Sequence, residues 1–142
     1  MKDVLAFIPQ RPPFVMVDEL VAADDHTGTT RFKVPADHIF VLDGLLTEPA
    51  LVENMAQTAA ARIGYICSEK NEPVPVGFIA AVQHLEVMAL PEVGQVLETQ
   101  IAIKNQVFDF TVIAGEVKCD GNVLAQCEMK IFIQSTNKSA II

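Results

Sequence analysis

Glu53 is the residue of this chain best suited to proton chemistry, because it interrupts the longest apolar region, flanked by Leu51, Val52, Met55 and Ala56. Burial there would desolvate the carboxyl group and favour its protonated form, the state of a group that donates a proton near neutral pH. Gln57 follows one helical turn later on the same face, where it can hydrogen-bond and orient Glu53. His38, in the loop before that region, could approach Glu53 of the same chain or of a partner to complete an acid/base pair. The local sequence fits Glu53 and Gln57 on a solvated helix stripe equally well, and taken alone it favours His38 as an ordinary surface residue. His84, within Gln83-His84-Leu85-Glu86, reads as the solvated face of a strand.

Other chemistries lose support. The three histidines are scattered and Cys67, Cys119 and Cys127 have no metal-ligand spacing, so no metal site is expected. Neither a Gly-rich phosphate loop nor a Ser-centred nucleophile elbow is present. A net charge of -8 without a Lys/Arg cluster argues against nucleic acid. Three thiols in a chain starting Met-Lys-Asp, with no apolar leader, suggest a reducing, cytoplasmic setting. The apolar region from Leu51 to Cys67 carries Glu53, Asn54, Gln57, Thr58 and Arg62, which makes it too polar for a membrane span.

The elements that must position Glu53 and His38 follow from periodicity and turn chemistry. At 142 residues, 51% of them apolar, the chain is sized for one domain with its own core. Ile8 to Phe14, with adjacent prolines, is an extended lead-in. Val15 to Ala22 and Thr29 to Val34 then read as a hairpin around His26-Thr27-Gly28. Residues 35 to 47 are irregular, with a turn at Asp43-Gly44. Thr47 is a candidate N-cap, with Pro49 in the first turn of a helix that runs to about Glu69. Strands are expected over Val76 to Met88, Val96 to Lys104, Phe108 to Cys119 and Val123 to Gln134, with Asp120-Gly121 a tight turn between the last two. Thr136 to Ile142 reads as loose. The fold class is α+β: one long central helix, apolar nearly all round and rich in alanine, enclosed by a curled antiparallel sheet.

Two segments together resemble a known family. Ile8-Pro9-Gln10-Arg11-Pro12-Pro13-Phe14-Val15-Met16-Val17-Asp18 resembles the N-terminal "(L/I)PHRxPFLLVDR" of hot-dog fold 3-hydroxyacyl-(acyl carrier protein) dehydratases, and Glu53-Asn54-Met55-Ala56-Gln57-Thr58 resembles their "EAMAQ" helix motif. Gly77 to Val82 and Pro91 to Gln95 are similar to later family segments. Asp43-Gly44 before the helix is most similar to the branch found with aryl polyene and flexirubin-type pigment synthesis. The resemblance implies a hot-dog homodimer or higher oligomer binding a thioester carried by acyl carrier protein or coenzyme A, with no resident cofactor. It implies Glu53 as catalytic acid, His38 as base, and Gln57, Phe14, Gly44 and Phe78 as substrate-binding residues.

The chain departs from the family in three places. His38 lies one residue further from Glu53 than the family's histidine, in Asp37-His38-Ile39-Phe40 without its glycine and proline. Gln10 stands where the N-terminal motif has histidine, and Thr47, Glu48 and Pro49 replace a Pro-Gly lead-in. A dehydratase of 3-hydroxyacyl thioesters in fatty acid or polyene-type lipid synthesis is the first expectation. The alternatives are an acyl thioesterase that needs only Glu53, and a catalytically silent hot-dog subunit paired with an active dehydratase. Arg11, Arg31, Lys33 and Arg62 are candidates for a basic patch facing an acidic carrier protein.

Overall fold

The computed structural model describes residues 2 to 134, so the stretch from Thr136 to Ile142 lies outside the described residues. In chain order the elements are β1 (Lys2–Asp3), a short 3-10 helix (Val4–Ala6), β2 (Glu19–Ala23), β3 (Thr27–Lys33), β4 (Val41–Leu42), β5 (Leu45–Leu46), α1 (Glu48–Glu69), β6 (Val76–Val87), β7 (Val96–Val107), β8 (Phe110–Cys119) and β9 (Asn122–Gln134). Seven strands form one antiparallel sheet in the order β1-β2-β3-β7-β8-β9-β6, while β4 and β5 make a small separate hairpin. This is the expected arrangement of one long helix packed against a large antiparallel sheet.

α1 starts where Thr47, in extended conformation, leaves the chain ready for Pro49 in the first turn, with Glu48 beside the positive end of the helix. The Thr47 hydroxyl does not cap the helix; it donates to the carbonyl of Phe40 at 2.9 Å and ties the preceding loop to the helix start. From 50 to 67 no residue of α1 is exposed, as a helix wrapped by strands requires. Leu51 and Met55 enter the main core with Leu97, Ile101, Ile113, Val117, Ala125 and Met129. The far side of the helix closes on a second cluster of Val4, Ile8, Val17, Leu20 and Ala61.

Asp120 and Gly121 both adopt positive φ between β8 and β9, the geometry of a tight hairpin turn. Along β9 the residues Ala125, Cys127 and Met129 are buried against the helix, which places Gln126, Glu128 and Lys130 on the opposite face. Three local expectations are corrected. Val15 to Asp18 is not strand, because the peptide groups of Val15 and Met16 bond to side chains instead of a neighbouring strand, and β2 starts only at Glu19. The first hairpin turns at Asp24 to His26, not at His26-Thr27-Gly28, since the Asp24 carboxylate accepts from the His26 and Thr27 N–H groups at 2.8 and 2.7 Å. The segment around Asp43-Gly44 is a true two-strand hairpin, not irregular chain.

Cys127 is 4% exposed, and burial pushes its thiol up from 9.0 to about 11. A thiol with a raised folded-state pKa adds stability that is complete below the unfolded value and is lost as pH rises through the folded value. Stability should therefore decline between about pH 9 and 11, and less steeply in Cys127→Ala. Maleimide labelling of native protein near pH 8, followed by mass spectrometry, should leave Cys127 unmodified until denaturant is added; rapid labelling would contradict its enclosure.

Candidate active site

Glu53 sits in the second turn of α1 and is half-buried in this chain, so the enclosure expected from its apolar neighbours is met in part. Gln57 does more than orient it. The Gln57 side chain is fully buried; its Nε2 donates to the Phe14 carbonyl at 2.9 Å and, at a longer 3.4 Å, to Glu53 Oε1, while its Oε1 accepts from the Met16 N–H at 2.7 Å. Asn54, also fully buried, donates from Nδ2 to the Met16 carbonyl at 2.7 Å. Residues 14 to 16 thus form a strap pinned to the helix by two amide side chains.

His38 holds the same strap from elsewhere in the chain. Its Nε2 lies 3.3 Å from the Val15 carbonyl, and its Nδ1 accepts the Phe40 N–H at 3.1 Å. A carbonyl only accepts, so Nε2 carries the ring proton and Nδ1 has the lone pair. Phe32 and Phe40 flank the ring, with centroids at 5.8 and 6.0 Å. Among the described residues no bond joins His38 to Glu53 directly; the strap connects them. His38 also lines an open cavity of about 430 Å³ with Val4, Pro12, Pro13, Val17 and Phe32.

The other expected residues divide. Phe14 is 57% exposed beside Glu53, its carbonyl held by Gln57, and its ring forms an apolar surface with a free face. Gly44, at φ +79 in the β4–β5 turn, has open space around it, and its carbonyl accepts from the Val93 N–H. Phe78 pairs in register with Phe132, and Phe132 with Phe110, on the face turned away from α1. Strand register therefore separates Phe78 from Glu53 within one chain. His84 is exposed at a positive-φ position on β6, in keeping with a solvated strand face.

Arg62 leaves the expected basic patch. It is only 7% exposed, and its guanidinium donates to the carbonyls of Asp24 and Asp25 at 2.8 and 2.6 Å, so it clamps the β2–β3 turn, and burial lowers its pKa. Arg31 pairs with Glu98 at 3.6 Å, and Arg11 bonds the carbonyls of Ile8 and Gln10. Gln10 itself keeps an enclosed Oε1 without a hydrogen-bond partner among the described residues. No cluster of metal-ligating side chains occurs among the described residues, and no helix there is long and apolar enough to cross a membrane.

Sequence reasoning missed Asn54, Thr58, Thr30 and Thr99, a fully buried polar set under the helix. The available signal was Asn54 and Thr58 at helical spacing beside Leu51 and Met55, polar residues on the face that must meet the sheet.

Comparison with known proteins places this geometry among relatives. The family model described as ApeP-like, ApeP dehydratase, matches residues 2–142. A 3-hydroxyacyl-[acyl-carrier-protein] dehydratase FabZ of Rickettsia bellii is 26% identical over 145 residues, covering 93% of this chain and 94% of that protein. The dehydratase heterocomplex ApeI:P from Xenorhabdus doucetiae superposes with a TM-score of 0.88 at 21% identity over 99% of this chain and 97% of that one, a likeness of fold. A hypothetical thioesterase with coenzyme A from Streptococcus pneumoniae shares the fold at a TM-score of 0.68 and 12% identity, covering 82% of this chain and 85% of that one.

Proposed function

Because the chain belongs to the ApeP-like family of dehydratases, we propose that it removes water from 3-hydroxyacyl thioesters carried on the phosphopantetheine arm of an acyl carrier protein, during assembly of a polyene-type acyl chain. The observation that carries this reading is the placement of Glu53 and His38 about one strap, the helix carboxyl held through Gln57 and the imidazole through Val15. His38 accepts the C2 proton of the substrate on Nδ1, whose present bond to the Phe40 N–H yields to it, while the Val15 carbonyl supports the imidazolium through Nε2–H. Glu53 gives its proton to the C3 hydroxyl, which leaves as water, and the C2–H electrons form the C2=C3 double bond. The proton on His38 then returns to Glu53 to reset the pair. No resident cofactor is needed for this elimination.

The exposed edge of the sheet supports pairing with a second hot-dog chain. β6 is a 12-residue strand at the edge of the sheet, and Val76, Phe78, Ile79, Val82 and Leu85 along it are all at least 40% exposed. A long apolar edge of this kind is a template for pairing with another strand.

One observation favours a second reading, in which this chain is the silent member of a heteromeric pair: both His38 nitrogens are already bonded to backbone. Dehydration of 3-hydroxyacyl thioesters by the purified chain, with and without His38→Ala, separates the two. Loss of about 10²-fold or more in the variant supports His38 as base. Full turnover in His38→Ala removes that role, and a wild type that works only with a hot-dog paralogue added identifies the silent subunit. Release of free thiol without enoyl product would instead identify a thioesterase.

A further inference from the structure

We propose that Gln57 is a positioning residue for the base of this dehydration as well as for its acid, because it fixes the peptide that holds His38; this rests on the assignment of His38 and Glu53 above. The Val15 carbonyl and the Met16 N–H are the two ends of one planar peptide group and point to opposite sides of the strap. His38 Nε2 meets the carbonyl at 3.3 Å, and Gln57 Oε1 takes the N–H at 2.7 Å. A planar unit held at one edge cannot turn the other, so the bond from the helix sets where the Val15 carbonyl points.

The preceding peptide is held by the same side chain. Gln57 Nε2 donates to the Phe14 carbonyl at 2.9 Å, so one carboxamide bonds both peptides that flank Val15 and pins its φ and ψ together. The orientation of that carboxamide follows from its partners, since the Met16 N–H only donates and the Phe14 carbonyl only accepts. Gln57 is fully buried, which keeps water from competing for the Met16 bond. The Phe40 N–H on Nδ1 decides which ring nitrogen of His38 carries the proton, whereas Gln57 decides where the carbonyl that receives it lies. Without a fixed carbonyl the ring keeps its tautomer but is left with one orienting bond and can swing about it. Gln57 Nε2 also reaches Glu53 Oε1 at 3.4 Å, so a single side chain spaces acid and base.

The test is ¹⁵N imidazole NMR of the full chain, read beside steady-state kinetics. In wild type the His38 Nε2–H proton should be resolved and slow to exchange with water; a freely exchanging proton overturns the proposal without any variant. In Gln57→Met that proton should exchange fast while the tautomer stays the same, and kcat should fall about tenfold with KM within about twofold. Gln57→Asn, a methylene too short to reach the Met16 N–H, should behave alike and serves if Gln57→Met does not fold. In a His38→Ala background the same substitution should cost only about threefold; an undiminished tenfold loss there would mean that Gln57 acts on Glu53 alone. A lower melting temperature with an unchanged Nε2–H signal would reduce Gln57 to a core residue and sink the proposal. A wild type without turnover, whose Nε2–H protection still disappears in Gln57→Met, would count against the dehydratase reading and leave the coupling to His38 standing.

Discussion

Glu53→Gln is expected to lower dehydration turnover by about 10³-fold while leaving KM within about twofold and the melting temperature nearly unchanged. Glutamine matches glutamate in shape and keeps a carbonyl oxygen where Oε1 accepts from Gln57, so the link from helix to strap survives. What it loses is the transferable proton, and a positioned acid contributes roughly 10²–10⁴-fold. The substrate is held by the same surfaces in both proteins, which is why the loss should fall on kcat. The measurement is absorbance of the conjugated enoyl thioester formed from 3-hydroxyacyl substrates. Turnover within about tenfold of wild type would take Glu53 out of the chemistry.

Gly64→Ala should be the most damaging single-methyl insertion in the helix, costing about 3 kcal/mol and lowering the melting temperature by about 10 °C. A Cβ at Gly64 would lie 2.2 Å from the Phe7 carbonyl oxygen and 2.9 Å from its carbon, and these are backbone atoms following the 3-10 helix. They cannot yield without moving Val4 and Ile8 out of the second core and disturbing the edge-to-face contact of Phe7 with Tyr65 at 5.5 Å. Gly115→Ala offers the contrast. Its Cβ would meet Met55 Sδ at 2.8 Å, and a thioether chain can turn aside, so about 1 kcal/mol is expected. Thermal unfolding of the two variants side by side checks the order; a larger loss in Gly115→Ala would show that the 3-10 segment, not the Met55 side chain, is the yielding partner.

The long elements were legible because their signals are local. Pro49 and the apolar run through α1 place the helix within a residue of its observed span, and alternation with Asp120-Gly121 places β8 and β9. The short elements were not, since Val4–Ala6 and the β4–β5 hairpin are held by contacts with remote chain, as when the Leu46 N–H bonds the Pro91 carbonyl. The strap reads as strand because Val15, Met16 and Val17 favour it, yet its partners are Gln57 and Asn54, some 40 residues on. Glu53 was singled out by its apolar neighbours and by motif resemblance. The Asn54 to Thr99 bond, across 45 residues, and the outward turn of Phe78 depend on register between strands, which no single segment encodes.

The sheet order also sets a timetable for synthesis. β6 leaves the ribosome before β7, β8 and β9, yet its partner within the sheet is β9, the last strand made. At ordinary elongation rates β6 waits about a few seconds with neither edge paired. During that interval its apolar side chains are a nascent-chain hazard, and chaperone demand should concentrate there. Slowing translation between Val87 and Asn122 would lengthen the vulnerable interval, whereas a circular permutant that makes β9 before β6 would remove it.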